Sequence, residues 1–208
     1  MSGPVPGSAA DIASLARPDA IRMRLGPLDA TLREFAAAAK PHAIPAAVLV
    51  PLLAPPPAVR ILLTRRSAAL RDHAGQVSFP GGRVEPQDPD PVRTALREAE
   101  EEVALAAERV EVLGALPPQN TATGFRMLPV VAWVEDPGEL RPEPAEVEEI
   151  FELPLARALD LRRYRREFRL RNGTRRWYYV LDHEGYHIWG ATAGILHRFA
   201  TVLRGMGR

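Results

Sequence analysis

The sequence predicts an α+β fold, an α/β/α sandwich in which helices cover a mixed β-sheet. Three observations predict it. Segments that read as strands outnumber those that read as helices. The two kinds do not alternate in the regular order that an all-parallel sheet requires. Two segments, residues 91–104 and 189–206, carry apolar residues at helical spacing, as helices laid on a sheet do.

The elements follow in order. Residues 1–25, rich in Pro, Gly, Ser and Ala at their start, are expected to form a flexible N-terminal arm, and residues 26–208 one domain without internal repeats. "PLDATLREFAAAAK" (27–40) has helical spacing. "AIPAAVLVPLL" (43–53) and "VRILLTRR" (59–66) read as buried strands joined by the turn "APPPA". "HAGQVSFPGGRVEPQDPDP" (73–91) opens as a short strand and becomes a loop. Asp90 then offers an N-cap acceptor and Pro91 a first helical residue, so a helix is predicted from about Pro91 to Ala104. "RVEVLGAL" and "FRMLPVVAWVE" read as strands, and residues 146–159 as a strand running into a helical turn. "REFRLRNGTRRWYYVLD" reads as a hairpin turning at Asn172-Gly173, and the C-terminal segment as an amphipathic helix.

Composition excludes several kinds of chemistry. The chain has 208 residues and no cysteine, so disulfides, thiolate nucleophiles and cysteine zinc sites are ruled out. Twenty-seven Lys and Arg stand against 26 Asp and Glu, a net charge of +1 that argues against bulk nucleic-acid binding. No apolar run approaches the length of a membrane helix, and the N-terminus lacks a basic start followed by an apolar stretch. No membrane partner and a cytoplasmic location are therefore expected.

The densest chemistry lies in "TALREAEEEVAL" (94–105), with Glu98, Glu100, Glu101 and Glu102 inside five residues. At about 100° per residue, Val92, Ala95, Leu96, Ala99 and Val103 share the packed face. Glu98, Glu101 and Glu102 then gather along a ridge beside it, and Glu100 points elsewhere. Like charges so spaced repel. A hard divalent cation, which takes carboxylate oxygens, would offset that repulsion; the plain alternative is a solvated acidic face. The preceding "FPGGR" favours the cation, because Gly81 and Gly82 permit a tight turn and close backbone approach to an ion or phosphate. Arg97 stands four residues before Glu101 and is placed to orient it.

"GGRVEPQDPDPVRTALREAEEEVAL" resembles the Nudix box. Arg97, Glu98, Ala99, Glu101, Glu102 and Leu105 match its second half. Ala104 stands where the box ends on Gly, the span from Gly82 to Arg97 is one residue longer than usual, and Asp88 falls where the first Glu belongs when counted from Gly82. Upstream, Leu62, Leu63, Thr64, Arg66, Ser67, Arg71, Gly75, Phe79, Pro80, Gly81 and Gly82 match the extended signature of the coenzyme A pyrophosphatase branch, in register throughout. "PPQNTATGFRMLPVVA" and "HIWGATAGIL" also look like that branch.

The resemblance implies a Nudix-type sandwich and a metal-dependent pyrophosphohydrolase using Mg²⁺ or Mn²⁺. The implied substrate is coenzyme A (CoA) or a derivative, cut to adenosine 3′,5′-bisphosphate and 4′-phosphopantetheine. Glu98, Glu101 and Glu102 are the implied metal ligands, with the carbonyl of Gly81 or Gly82 in addition. Glu146 is the implied general base, by similarity, rather than Glu148 or Glu149; Glu101 is the alternative, and a plain surface glutamate is the bland reading of Glu146. Arg66 and Arg71, with Gly81, are assigned to the substrate, since Arg matches phosphate oxygens in bidentate fashion. Arg65 and Arg66 alternate along a strand, so at most one of them faces the site. His73 is a weaker candidate. Trp177, Tyr178 and Tyr179 are expected in the core rather than stacked on an adenine, and the arginine-rich hairpin is read as a solvated rim that could instead face an anionic ligand or RNA. A homodimer is compatible with all of this. Two other functions stay open: a Nudix hydrolase of ADP-ribose or a dinucleotide, and a non-catalytic nucleotide-binding regulator.

Overall fold

Residues 44–53 are apolar at nearly every position, and the fold buries both of their faces. They form strand β1 (Ile44–Leu53), the centre of the sheet in a computed structural model that describes residues 14–37, 43–54, 58–70, 72–171 and 173–206. Before it come helices α1 (Pro18–Leu25) and α2 (Leu28–Ala37); after it β2 (Arg60–Arg66), β3 (Val77–Ser78), β4 (Gly81–Arg83) and helix α3 (Pro91–Val103). Then follow β5 (Glu111–Ala115), β6 (Gln119–Asn120), β7 (Phe125–Val134), β8 (Val147–Pro154) and the short helix α4 (Leu155–Leu159). The chain closes with β9 (Arg165–Arg171), β10 (Thr174–His183), β11 (Tyr186–Trp189) and helix α5 (Gly190–Leu203).

The main sheet runs β3-β2-β1-β7-β5, with β4 also on β1, β6 on β7 and β8 on β2. β1 and β7 are parallel over ten residue pairs, Ile44 with Phe125 through Leu53 with Val134. The other pairings are antiparallel, so the sheet is mixed, as the irregular order of elements predicts. Alternation along β1 sends Val48, Val50 and Leu52 into one apolar cluster with Phe199, Leu196 and Ile195 of α5. Ala47, Leu49 and Leu53 enter a second cluster with Ala95, Ala99 and Val103 of α3 and Phe35 of α2. Each face thus carries its own helix, and burying both removes the apolar surface from water.

One expectation needs correction. The flexible arm over residues 1–25 does not hold for residues 18–25: they form α1, and Ile21 is fully buried in the α5-side cluster. A Pro at the helix start, the buried Ile21 and Leu25 packed beside it suffice, although the composition reads as loose. Residues 1–13 lie outside the described residues. The expected hairpin forms as β9 and β10, with Arg171 opposite Thr174 across residues 172–173, and Asn172 lies outside the described residues. β11 adds a third antiparallel strand, reached through a reversal at Glu184 and Gly185, both at positive φ.

Helix α3 starts and stops close to where its residues predict. Asp90 is extended and accepts the N–H of Arg93 at 2.9 Å, with Pro91 in the first turn. At the other end Ala104 takes the left-handed conformation, φ 57° and ψ 28°, where many helices place a glycine. Its N–H donates to Glu100 O at 3.0 Å. The missing glycine therefore leaves the helix ending intact, at a cost from the Cβ that such a backbone disfavours. Ala104→Gly is expected to stabilise the protein by about 1 kcal/mol, read as a higher denaturation midpoint with an unchanged slope in urea.

Candidate active site

The three glutamates of the acidic ridge are not equivalent. Glu102 lies one turn beyond Ala99 and falls within the packed face, leaving the residue only 3% exposed. The side chain of Glu98 is 14% exposed and that of Glu101 58%. Glu100 is exposed, as the helical spacing predicts. The difference from a uniform ridge arises because strand β4 reaches over the helix beside Glu98 and Glu102 and stops short of Glu101.

That reach requires glycine. β4 pairs with β1, Gly81 opposite Val48 and Gly82 opposite Ala47. Gly81 has φ 155°, and a Cβ there would stand 2.4 Å from the carbonyl oxygen of Ala47. At Gly82 a Cβ would stand 2.2 Å from Glu98 Oε1, so the carboxylate occupies the space a side chain would need. Gly81, expected beside the substrate, lies next to Glu102, and its backbone N–H pulls against the rise in that carboxyl's pKa.

Electrostatics follow from burial. Desolvation disfavours the charged form of a carboxyl group, and neighbouring carboxylates add to this. Glu102 is pushed from 4.5 up to about 8, by burial first and then by Glu98; Arg66 opposes the rise and Glu146 adds to it. Burial also raises Glu98, against the opposing pull of Arg97. One oxygen of Glu102, Oε2, is buried with no hydrogen-bond partner. Buried polar atoms are seldom left so.

Arg97 binds more than Glu101. Its Nη1 meets Glu101 Oε2 at 2.8 Å, and Nη2 meets Glu98 Oε1 at 3.1 Å. Nε and Nη2 also grip both oxygens of Asp88, each at 3.1 Å. Asp88 accepts further from Thr94 Oγ1 and the N–H of Glu85, both at 2.9 Å. The Arg97 guanidinium is the first cause holding Asp88 down at about 2. Asp88 and Thr94 are thus site residues that residue roles alone did not single out. The available signal was Asp88's place in the count from Gly82.

The remaining candidates separate cleanly. Along β2 and β8, Arg65 stands opposite Glu149 and Arg66 opposite Val147, so Glu148 is the extra residue of a bulge. Arg65 pairs with Glu148 at 3.2 Å and Glu149 at 2.8 Å, while Arg66 acts on Glu102. Only Arg66 of the two meets the acidic helix. Glu146 is tied in through its carbonyl, which accepts the N–H of Ser67 at 2.8 Å, and its charge reaches both Glu98 and Glu102. Glu149 accepts Tyr186 Oη at 2.6 Å and belongs to the opposite side. Arg71 lies outside the described residues. His73 is exposed and bonds Gln76 at 2.9 Å. Trp177 is not a core residue, being half exposed on the hairpin, whereas Tyr179 packs onto the α5-side cluster and stacks on His197.

No three His, Asp or Glu side chains among the described residues form a ready-made metal cage. The hard oxygens nearest to one are the Glu98 carboxylate over Gly82 and that of Glu102 one turn further along α3, including the unpartnered Oε2. Two carboxylates suit Mg²⁺, which commonly completes its shell with water and substrate phosphate oxygens.

With this geometry in view, comparison with known proteins is direct. The model of the NUDIX domain matches residues 43–176. "Uncharacterized Nudix hydrolase NudL" of Photorhabdus laumondii is 46% identical over 155 residues, covering 74% of this chain and 82% of that protein. The protein of the same description from Escherichia coli K12 is 45% identical, covering 74% of this chain and 80% of its own length. Among solved structures, a C. elegans Ap4A hydrolase binary complex has 20% identity and a TM-score of 0.45, over 53% of this chain and 80% of that one. The fold and the glutamate helix with its glycine turn thus belong to a pyrophosphohydrolase of nucleoside diphosphate derivatives. The chain is a member of the Nudix family, whose enzymes generally use divalent metal ions.

The raised Glu102 gives a pH signature to the metal-free protein. Its folded value, about 8, exceeds the ordinary 4.5, so its contribution to stability is present in full below pH 4.5 and is lost as pH rises through about 8. The loss is about 5 kcal/mol. In chelator, thermal stability is expected to fall between those pH values, and Glu102→Gln to flatten the fall. An unchanged profile in that variant would assign the pH dependence to other groups.

Proposed function

We propose that this chain hydrolyses the pyrophosphate bond of CoA or a CoA derivative, releasing adenosine 3′,5′-bisphosphate and 4′-phosphopantetheine. One observation carries the substrate reading. The uninterrupted series Leu62, Leu63, Thr64, Arg66, Ser67, Arg71, Gly75, Phe79, Pro80, Gly81, Gly82 resembles the CoA pyrophosphatase branch and runs directly into the turn that faces Glu98 and Glu102.

The donor set fits Mg²⁺ or Mn²⁺. Glu98 and Glu102 would hold the ion, with the carbonyl of Gly82, and Glu101 completes the set at the exposed rim. When bound, the ion supplies charge neutralisation at the diphosphate and lowers the pKa of the attacking water. The protein's own groups do the rest. Arg97 fixes the Glu98 and Glu101 carboxylates from one side. Glu146 accepts the proton of the water that attacks phosphorus, with Glu101 the alternative base. The bridging oxygen departs with the other phosphate. Arg66 and Arg71 offer bidentate guanidinium groups to the phosphates, including the 3′-phosphate that distinguishes CoA.

Product analysis tests the reading. Purified protein is incubated with CoA, ADP-ribose or NADH, each with Mg²⁺, Mn²⁺ or chelator. Release of adenosine 3′,5′-bisphosphate from CoA, dependent on metal and well above cleavage of the others, is the expected result. Preference for ADP-ribose or NADH would overturn the CoA reading and keep the class, and hydrolysis of none would favour a nucleotide-binding regulator. Glu98→Gln and Glu102→Gln should each lower kcat at least about a hundredfold. Arg66→Ala should lower kcat/KM for CoA more than for dephospho-CoA; equal loss would remove Arg66 from the 3′-phosphate.

A further inference from the structure

The β9–β10 hairpin has two unlike faces. Cross-strand pairing sets Phe168 opposite Trp177 and Leu170 opposite Arg175, so these four share one face with Arg166. Phe168 is 43% exposed, Leu170 68% and Trp177 50%. Three large apolar groups side by side on an exposed strand pair form a patch, unlike single exposed residues. The two rings stand 5.1 Å apart between centroids.

Charge surrounds the patch. Arg162, Arg163 and Arg165 of the approach to the hairpin pair with Asp160, Asp182 and Glu167. Among the described residues, Arg166, Arg169, Arg175 and Arg176 have no such ion pair, and only the first and third share the apolar face. Arg166 lies over the Trp177 ring at 4.9 Å and Arg175 over Phe168 at 4.8 Å. Stacking of this kind keeps guanidinium groups at the edge of an apolar surface, with their charge outward.

These features select among occupants. A second copy of the chain would bring the same unpaired arginines against one another. Single-stranded nucleic acid would need open ring faces for its bases, and the chain's own arginines lie over both rings. An anionic lipid surface satisfies every part: apolar side chains enter the interface, Trp sits at the headgroup level, and arginines meet the phosphates. We propose that the β9–β10 hairpin docks the protein peripherally onto an anionic phospholipid surface through Phe168, Leu170 and Trp177, with Arg166 and Arg175 at the rim. No helix among the described residues is long and apolar enough to cross a membrane, and none is needed.

Vesicle co-sedimentation tests this with the full chain. Vesicles of phosphatidylcholine alone are compared with vesicles that also contain phosphatidylglycerol. Binding to the anionic vesicles, weakened by salt, is expected, together with a blue shift in tryptophan emission that Trp177→Phe diminishes. Leu170→Glu and Arg175→Glu should each reduce partitioning at least about tenfold, with circular dichroism and turnover of soluble substrate unchanged. Three results would overturn the proposal: no binding to anionic vesicles, binding that both variants retain, or binding of the wild type to an RNA oligonucleotide or to itself in place of lipid. Each leaves the hydrolytic reading untouched, since hydrolysis is measured separately.

Discussion

One guanidinium makes the acidic site tenable. Glu98 and Glu101 share a face of α3, and Asp88 comes from the preceding loop; uncompensated, three carboxylates so placed would repel. Arg97 lies among all three, donating to Asp88 in bidentate fashion and to Glu101, and forming an ion pair with Glu98. Charge-assisted bonds in this fork geometry give direction as well as energy. Glu98 is thereby aimed toward the glycine turn, and the loop of residues 84–90 is tied to the helix it precedes. Removing Arg97 would release both at once.

Glu102 follows the opposite logic. It is buried without an arginine bonded to it, and its Oε2 has no partner. Desolvation therefore dominates its titration. Such a group is costly to hold ionised until a cation or proton compensates it. The contrast divides the helix into a carboxylate restrained by a cation of the protein, Glu98, and one left wanting positive charge, Glu102. The close packing of β4 is what creates the second condition, and glycine at position 81 allows it, since a Cβ there would strike the β1 backbone.

Much of this was legible in residue order. Period-3.6 spacing placed α3, Asp90 and Pro91 marked its start, and apolar runs placed β1, β2 and β7. The Gly-Gly pair before the glutamates pointed to a close approach. Other features had no local signal. A bulge between Arg65 and Arg66 depends on how β2 meets β8, more than eighty residues later in the chain. Helix α1 rests on buried Ile21 and partly buried Leu25 in a stretch whose composition resembles a tail. Trp177 reads as core by type, yet it lies toward the turn end of β10, away from the end where Leu181 and Tyr179 pack on the α5 side.

The sequence by itself determined the helix that carries the glutamates, the glycines that face it, the mixed α+β architecture and the family. Those follow from periodicity, capping and short-range spacing, which the chain carries locally. Tertiary structure alone decided which glutamate is buried, which arginine reaches it, that Asp88 and Thr94 complete the Arg97 network, and that the hairpin exposes Phe168 and Trp177. These depend on distances between segments remote in sequence, and burial, which sets the charge state of a carboxyl group, arises only when those segments pack.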